Sequence, residues 1–157
     1  MDAASLTVSL PDETATAALG ARLAAACRPG DLITLEGDLG AGKTTLARAL
    51  IQTLAGAAIE VPSPTFTLVQ TYPLPDLTVW HFDLYRLEDP GEVRELGFEE
   101  AVDGLALVEW PDRLGARLPS ARLEVRLSSD GDGRIARLVD HDDWKRRIDD
   151  EWVAAGG

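Results

Sequence analysis

Asparagine is absent from all 157 residues, which excludes N-linked glycosylation and the Asn-Lys-x-Asp guanine reader of many GTPases. Cysteine occurs once, as Cys27, so no disulfide can form within the chain. Its place on the apolar side of an expected helix reads as a buried free thiol. No run approaches the roughly eighteen apolar residues of a membrane span. The opening MDAASLTVSLPDE has neither a basic stretch nor an apolar one behind it. These are the features expected of a soluble, cytoplasmic protein with no membrane partner. Positive charge is also scarce, 15 Lys and Arg against 27 Asp and Glu, a net −12. A surface that acidic repels phosphate backbones, so unaided nucleic-acid binding is not expected unless the cations cluster.

What remains is one ordinary globular domain, residues 1–157, long enough to bury about two-thirds of its unfolded surface. Alternating Leu6, Val8 and Leu10 predict a first strand closed by Pro11. Asp12 is a suitable cap for a helix running to about Arg28, with Ala15, Ala18, Leu19, Leu23 and Ala26 as its apolar stripe. Asp31–Glu36 reads as a strand that runs into a Gly-rich turn, and a second helix is expected from Lys43 to Ala55, ended by Gly56. Thr65–Tyr72 and Thr78–Leu84 are expected to pair as a hairpin, followed by a helix over Pro90–Glu100. Leu105–Val108 is a continuous apolar run, the mark of a strand covered on both faces. Leu123–Leu127 and Ile135–Val139 form a second hairpin, and Asp142–Val153 a last helix with Trp144, Ile148 and Trp152 four residues apart. The expected class is α/β, a central mixed sheet with antiparallel hairpin additions.

The turn carries the chemistry. Gly37-Asp38-Leu39-Gly40-Ala41-Gly42-Lys43-Thr44 matches G-x-x-x-x-G-K-[ST] at every fixed position, a match expected by chance below roughly 1% of the time in a chain this long. A strand enters this phosphate loop and a helix leaves it, as the motif requires. The glycines let backbone N–H groups close on a β-phosphate, and the helix N-terminus adds its positive end. Lys43 can reach the β- and γ-phosphates, and the Thr44 hydroxyl can ligate Mg²⁺. The nucleotide-binding set is therefore Asp38, Leu39, Gly40, Ala41, Gly42, Lys43, Thr44 and Thr45.

A phosphate loop needs a carboxylate at the end of a neighbouring strand. Glu109 ends the apolar Leu105–Val108 run, and Asp83 ends Val79–Phe82, whose alternation suggests an exposed face. A metal and a water-activating base would use both carboxylates. His81 lies two residues before Asp83 on the same strand face and reads as a hydrogen-bonded imidazole rather than a catalytic one. Arg86 fits an internal arginine finger and a surface arginine equally. Trp80 and Trp110 can stack on a nucleotide or a partner, with core packing the default for each.

In combination these segments resemble the TsaE family, the P-loop ATPases of bacterial tRNA threonylcarbamoyladenosine biosynthesis. The resemblance runs to about residue 127 and rests on Leu35–Thr45, Val61–Val69, His81–Arg86, Glu95–Phe98 and Val108–Pro111. It implies a P-loop NTPase-like three-layer sandwich that hydrolyses ATP with Mg²⁺, in support of a TsaB–TsaD-type complex. tRNA would be reached only through that complex. By the same likeness Thr44 and Glu109 hold Mg²⁺, and Asp83 stands by the γ-phosphate as metal partner or water-positioning base. Thr14 and Arg134 contact the nucleotide, and Ser63-Pro64-Thr65-Phe66 is a switch-like segment. Two alternatives stay open: a P-loop small-molecule kinase, for which Arg113 and Arg117 are the candidate lid arginines, and a nucleotide-gated binding module.

Overall fold

The computed structural model describes residues 4–38, 42–144 and 146–147. The chain runs through β1 (Ala4–Leu10), α1 (Glu13–Ala26), β2 (Leu32–Glu36), α2 (Lys43–Ala55), β3 (Val69–Pro73), β4 (Thr78–Asp83), α3 (Phe98–Ala101), β5 (Leu105–Glu109), β6 (Leu123–Asp130) and β7 (Gly133–Asp140), with 3₁₀ segments at Pro90–Arg94 and Pro111–Arg117. The apolar runs form the middle of one sheet, ordered β1-β7-β6-β2-β5-β4-β3. Strands β6, β2, β5 and β4 are mutually parallel. Antiparallel β3 completes one side, and antiparallel β7 and β1 complete the other. The four parallel strands point their C-terminal ends at one edge, where open α/β sheets bind ligands.

Alternation along β5 divides the interior into two cores. Leu105 and Leu107 pack with Leu19 and Leu23 of α1 and with Leu46 and Leu50 of α2. Ala106 and Val108 point the other way, into a cluster with Phe82, Val93, Ala101 and Leu114. The result is the expected three-layer α/β arrangement with a mixed central sheet. Helices α1 and α2 approach closely at Gly20, where an added Cβ would stand 2.8 Å from the Leu46 carbonyl oxygen. That contact rotates the α1 stripe away from its expected line: Thr16 and Gly20 are buried, and Ala18 is exposed.

Asp12 caps α1 as expected, accepting the Ala15 N–H at 2.9 Å. The helix ends at Ala26 rather than near Arg28, because Cys27 turns to extended backbone. Cys27 is half-buried, not fully buried; burial, with Asp31 adding to it, still pushes its thiol far above the ordinary value. Two expected elements are shorter than the pattern implied. Residues 65–68 form a turn and not a strand, because Leu68 is left-handed (φ 68°) and donates to the Pro64 carbonyl at 2.7 Å. The helix expected over Pro90–Glu100 is split by Gly97, whose φ is 88°.

After β7 the chain returns to the core. Trp144 is buried in the α1–α2 cluster. Arg147 grips Asp31 with both terminal nitrogens, at 2.7 and 3.1 Å, and donates at 2.9 Å to the Ala26 carbonyl at the end of α1. Ile148 and Trp152 of the expected last helix lie outside the described residues. Among the described residues no helix is long and apolar enough to cross a membrane.

Candidate functional site

Strand β2 is buried from Leu32 to Leu35, then leaves the sheet through Glu36 and Gly37. Leu39, Gly40 and Ala41 lie outside the described residues, and the chain re-enters at Gly42, the left-handed N-cap of α2 (φ 99°). Gly42 has no side chain to cap the helix, so the first-turn N–H groups of Lys43, Thr44 and Thr45 remain available to an anion. The Lys43 ammonium donates to the Gly37 carbonyl and, at 3.4 Å, to that of Asp38. It also lies 3.7 Å from the centre of the Trp110 ring. Burial pulls its pKa below the ordinary lysine value, against the opposing pull of Glu109, Asp83, Asp38 and Asp112.

Glu109 and Asp83 are ladder partners at the C-terminal ends of β5 and β4. Both are buried, so the expectation of an exposed face for β4 is wrong for Asp83. The reason is that both faces of β4 are covered, with Val79 in the α1–α2 cluster and Phe82 in the opposite one. The Thr44 hydroxyl lies 3.3 Å from each Glu109 carboxylate oxygen. His81 Nε2 approaches Glu109 Oε2 at 2.6 Å. Asp83 is held differently: Oδ1 accepts the Tyr85 N–H at 3.0 Å, and Oδ2 accepts the Thr65 hydroxyl at 3.2 Å. Thr65 in turn shares a 2.7 Å hydroxyl contact with Ser63.

These groups surround a cleft of about 310 Å³. Lys43, Thr44, Asp83 and Glu109 line it, together with Gly42 and Thr45. Ser63 and Thr65 of the switch-like segment line it too, while Phe66 projects outward, 81% exposed, beneath the Arg86 guanidinium at 4.6 Å. Arg134 lies against Gly42, where an added Cβ would meet its Nη1 at 3.4 Å, and lines the same cleft. Thr14 is exposed and does not line the cleft; Glu13, its neighbour on the first turn of α1, does. Arg113 stands over the Tyr85 ring, and neither it nor Arg117 reaches the lining.

One lining residue, Glu13, escaped the sequence reading. Glu13 had only its place beside the helix cap to mark it. Trp110 had core packing as its default reading and stacking on a nucleotide or partner as the other. It does pack against the Phe82 cluster, and its left-handed backbone (φ 60°), costly for a bulky residue, also brings its ring over Lys43.

The chemistry of the donors fits Mg²⁺. Two carboxylates and a hydroxyl are hard oxygen ligands, and all three face one cleft. Among the described residues no group of three His, Cys, Asp or Glu could form a cage around a metal. Mg²⁺ at a phosphate loop needs none, since it takes one or two protein oxygens and completes its shell with phosphate and water.

The family model for "Threonylcarbamoyl adenosine biosynthesis protein TsaE" matches residues 10–138. The chain belongs to the TsaE family. Among its curated relatives, the tRNA threonylcarbamoyladenosine biosynthesis protein TsaE of Rickettsia conorii is 41% identical over 133 residues, covering 83% of this chain and 76% of the relative. The proteins of the same name from Bacillus subtilis and Haemophilus influenzae are 42% and 37% identical, covering 78% and 86% of this chain and 75% and 89% of their own. The crystal structure of Bacillus subtilis YdiB superposes with a TM-score of 0.82 at 28% identity, covering 100% of this chain and 99% of that one. The span matched by the TsaE model begins at the end of β1 and ends within β7, so it contains every residue that lines the cleft.

Proposed function

We propose that this TsaE-family chain is a Mg²⁺-dependent ATPase that supports formation of threonylcarbamoyladenosine in tRNA, acting with a TsaB–TsaD-type complex. The observation that carries the reading is the convergence of Lys43, Thr44, Asp83 and Glu109 from three separate segments on one cleft beside the phosphate loop. The first turn of α2 and Lys43 bind the phosphates, and Arg134 holds the nucleotide from the side of Gly42. Thr44 and Glu109 hold the metal, which when bound offsets charge on the phosphate oxygens. Asp83 is the carboxylate opposite Glu109 on the β4–β5 ladder, and its role is to orient the attacking water, or to share the metal. Hydrolysis yields ADP and phosphate.

Binding of tRNA is left to the partner complex, in keeping with the net charge of −12. Arg113 and Arg117 stand away from the cleft, which favours hydrolysis over a kinase with an arginine lid. The test is reconstitution. ATPase turnover and tRNA modification are measured with and without the TsaB–TsaD pair, using ATP and a non-hydrolysable analogue. The proposal expects hydrolysis to be required for repeated rounds of modification. Full multiple-turnover modification with the analogue would instead favour a nucleotide-gated binding module, and rapid phosphorylation of a metabolite would favour a kinase.

A further inference from the structure

His81 is fully buried on β4, and its Nε2 lies 2.6 Å from Glu109 Oε2. A carboxylate oxygen accepts, so the proton of this contact sits on Nε2. Nδ1, the other ring nitrogen, is also buried and has no partner among the described residues. A ring held this way satisfies one nitrogen and leaves the other unpaired, a cost that Leu or Phe would avoid. Packing alone therefore does not account for an imidazole here; the bond to Glu109 does.

The ladder explains how that bond is made. Asp83 is opposite Glu109 and His81 is opposite Leu107. His81 thus stands one pleat behind the carboxylate pair, on the same sheet face, and reaches Glu109 along the diagonal. From the front, the Thr44 hydroxyl meets both Glu109 oxygens at 3.3 Å. The carboxylate is gripped from two directions, by a hydroxyl in the cleft and by a ring in the core.

We propose that His81 is a positioning residue: its Nε2–H fixes the Glu109 carboxylate so that Glu109 and Thr44 present their oxygens together to a divalent cation. The inference rests on the Mg²⁺-nucleotide reading of the cleft and adds a residue to it. Removing a group that holds a ligating side chain from behind typically costs about 10–100-fold in metal affinity.

The test uses Mn²⁺ as the probe, titrated onto the full-length protein with ADP and followed by the electron paramagnetic resonance of free Mn²⁺. His81→Leu should weaken Mn²⁺ binding about tenfold or more, with ADP affinity in EDTA kept within about twofold. His81→Gln, whose amide nitrogen can stand where Nε2 does, should recover most of the loss. A merely structural role predicts the reverse pattern, a lowered thermal midpoint and lowered ADP affinity in EDTA. Unchanged Mn²⁺ affinity in folded His81→Leu, or a Gln variant as weak as the Leu variant, overturns the proposal. If His81→Leu does not fold, His81→Met supplies the donor-free comparison and the same outcomes decide. Failure of the wild-type protein to bind ADP in EDTA would count against the phosphate-loop reading, and so is distinguishable from failure of the role given to His81.

Discussion

Asp83 and Glu109 face each other across the β4–β5 ladder, yet the groups that hold them are different. Glu109 is tied to Thr44 and His81, one on the phosphate-loop helix and one in the core. Asp83 is tied to Thr65 and to the Tyr85 N–H, on turns that leave the strands. The two carboxylates should therefore fail differently. Glu109→Ala removes an oxygen from the metal position and should weaken Mg²⁺-dependent nucleotide binding. Asp83→Ala should keep nucleotide and lose hydrolysis by about 10²-fold or more, the usual scale for a positioned base. Calorimetric ADP titrations with and without Mg²⁺, beside single-turnover rates, separate the two. Equal losses of affinity and rate in both variants would show that the roles are not divided this way.

Lys43 is the flexible cation of the loop, and its ammonium lies among the Gly37 and Asp38 carbonyls and the Trp110 ring. Lys43→Ala should lower ATPase turnover by about tenfold at the least, since the charge at the β- and γ-phosphates is lost. Wild-type turnover in that variant would contradict the assignment of the loop.

Much of this site was legible because its signals are local. The phosphate-loop pattern, the apolar run ending in Glu109 and the Asp12 cap each lie within a few consecutive residues, and the strand and helix flanking the loop, the buried strand and the cap stand where the pattern put them. What the pattern did not carry depends on distant partners. Asp83 looked like the end of a half-exposed strand because nothing in Val79–Phe82 reveals that both faces of β4 will be covered, one by α1 and α2 and the other by the segments that carry Val93, Ala101 and Leu114. The pairing of β1 with β7 joins opposite ends of the chain, so alternation in Leu6, Val8 and Leu10 marks a strand without naming its neighbour. Single residues with positive φ shaped the rest. Leu68 turns the start of the strand expected over Thr65–Tyr72, Gly97 splits the expected helix, and Trp110 brings its ring over Lys43. For Leu68 and Trp110 residue type argues against that conformation, so propensity points the wrong way.

Glu36 sits just before the phosphate loop, with Arg126 Nε at 3.4 Å. Burial raises its carboxyl above the ordinary value, Glu124 raises it further, and Arg126 opposes both. Between the ordinary value of 4.5 and the raised one, the folded chain binds more protons at this site than the unfolded chain. Its contribution to stability therefore grows as pH falls through that window and is least at neutral pH. Glu36→Gln removes the charge, so its urea midpoint should exceed the wild-type midpoint at neutral pH, with the difference vanishing as pH falls below 4.5. A Gln variant that is less stable at neutral pH would show that the pairing with Arg126 outweighs burial.

Trp144 poses a choice between packing on this protein's own core and anchoring a partner. Its side chain is 1% exposed and sits in the cluster with the α1 and α2 leucines. The Arg147 guanidinium lies 4.1 Å from the Trp144 ring and ties the same turn to Asp31 and Ala26. A side chain so enclosed cannot also be spent on a partner without opening the core. Trp144→Ala should then leave a cavity and cost about 3–5 kcal/mol of stability, read as a lowered midpoint in a urea melt. The ATPase rate expected of the fraction that remains folded should be close to wild type, because Trp144 does not line the cleft at Lys43 and Glu109. An unshifted midpoint together with lost binding to the TsaB–TsaD pair would move Trp144 from the core to the interface.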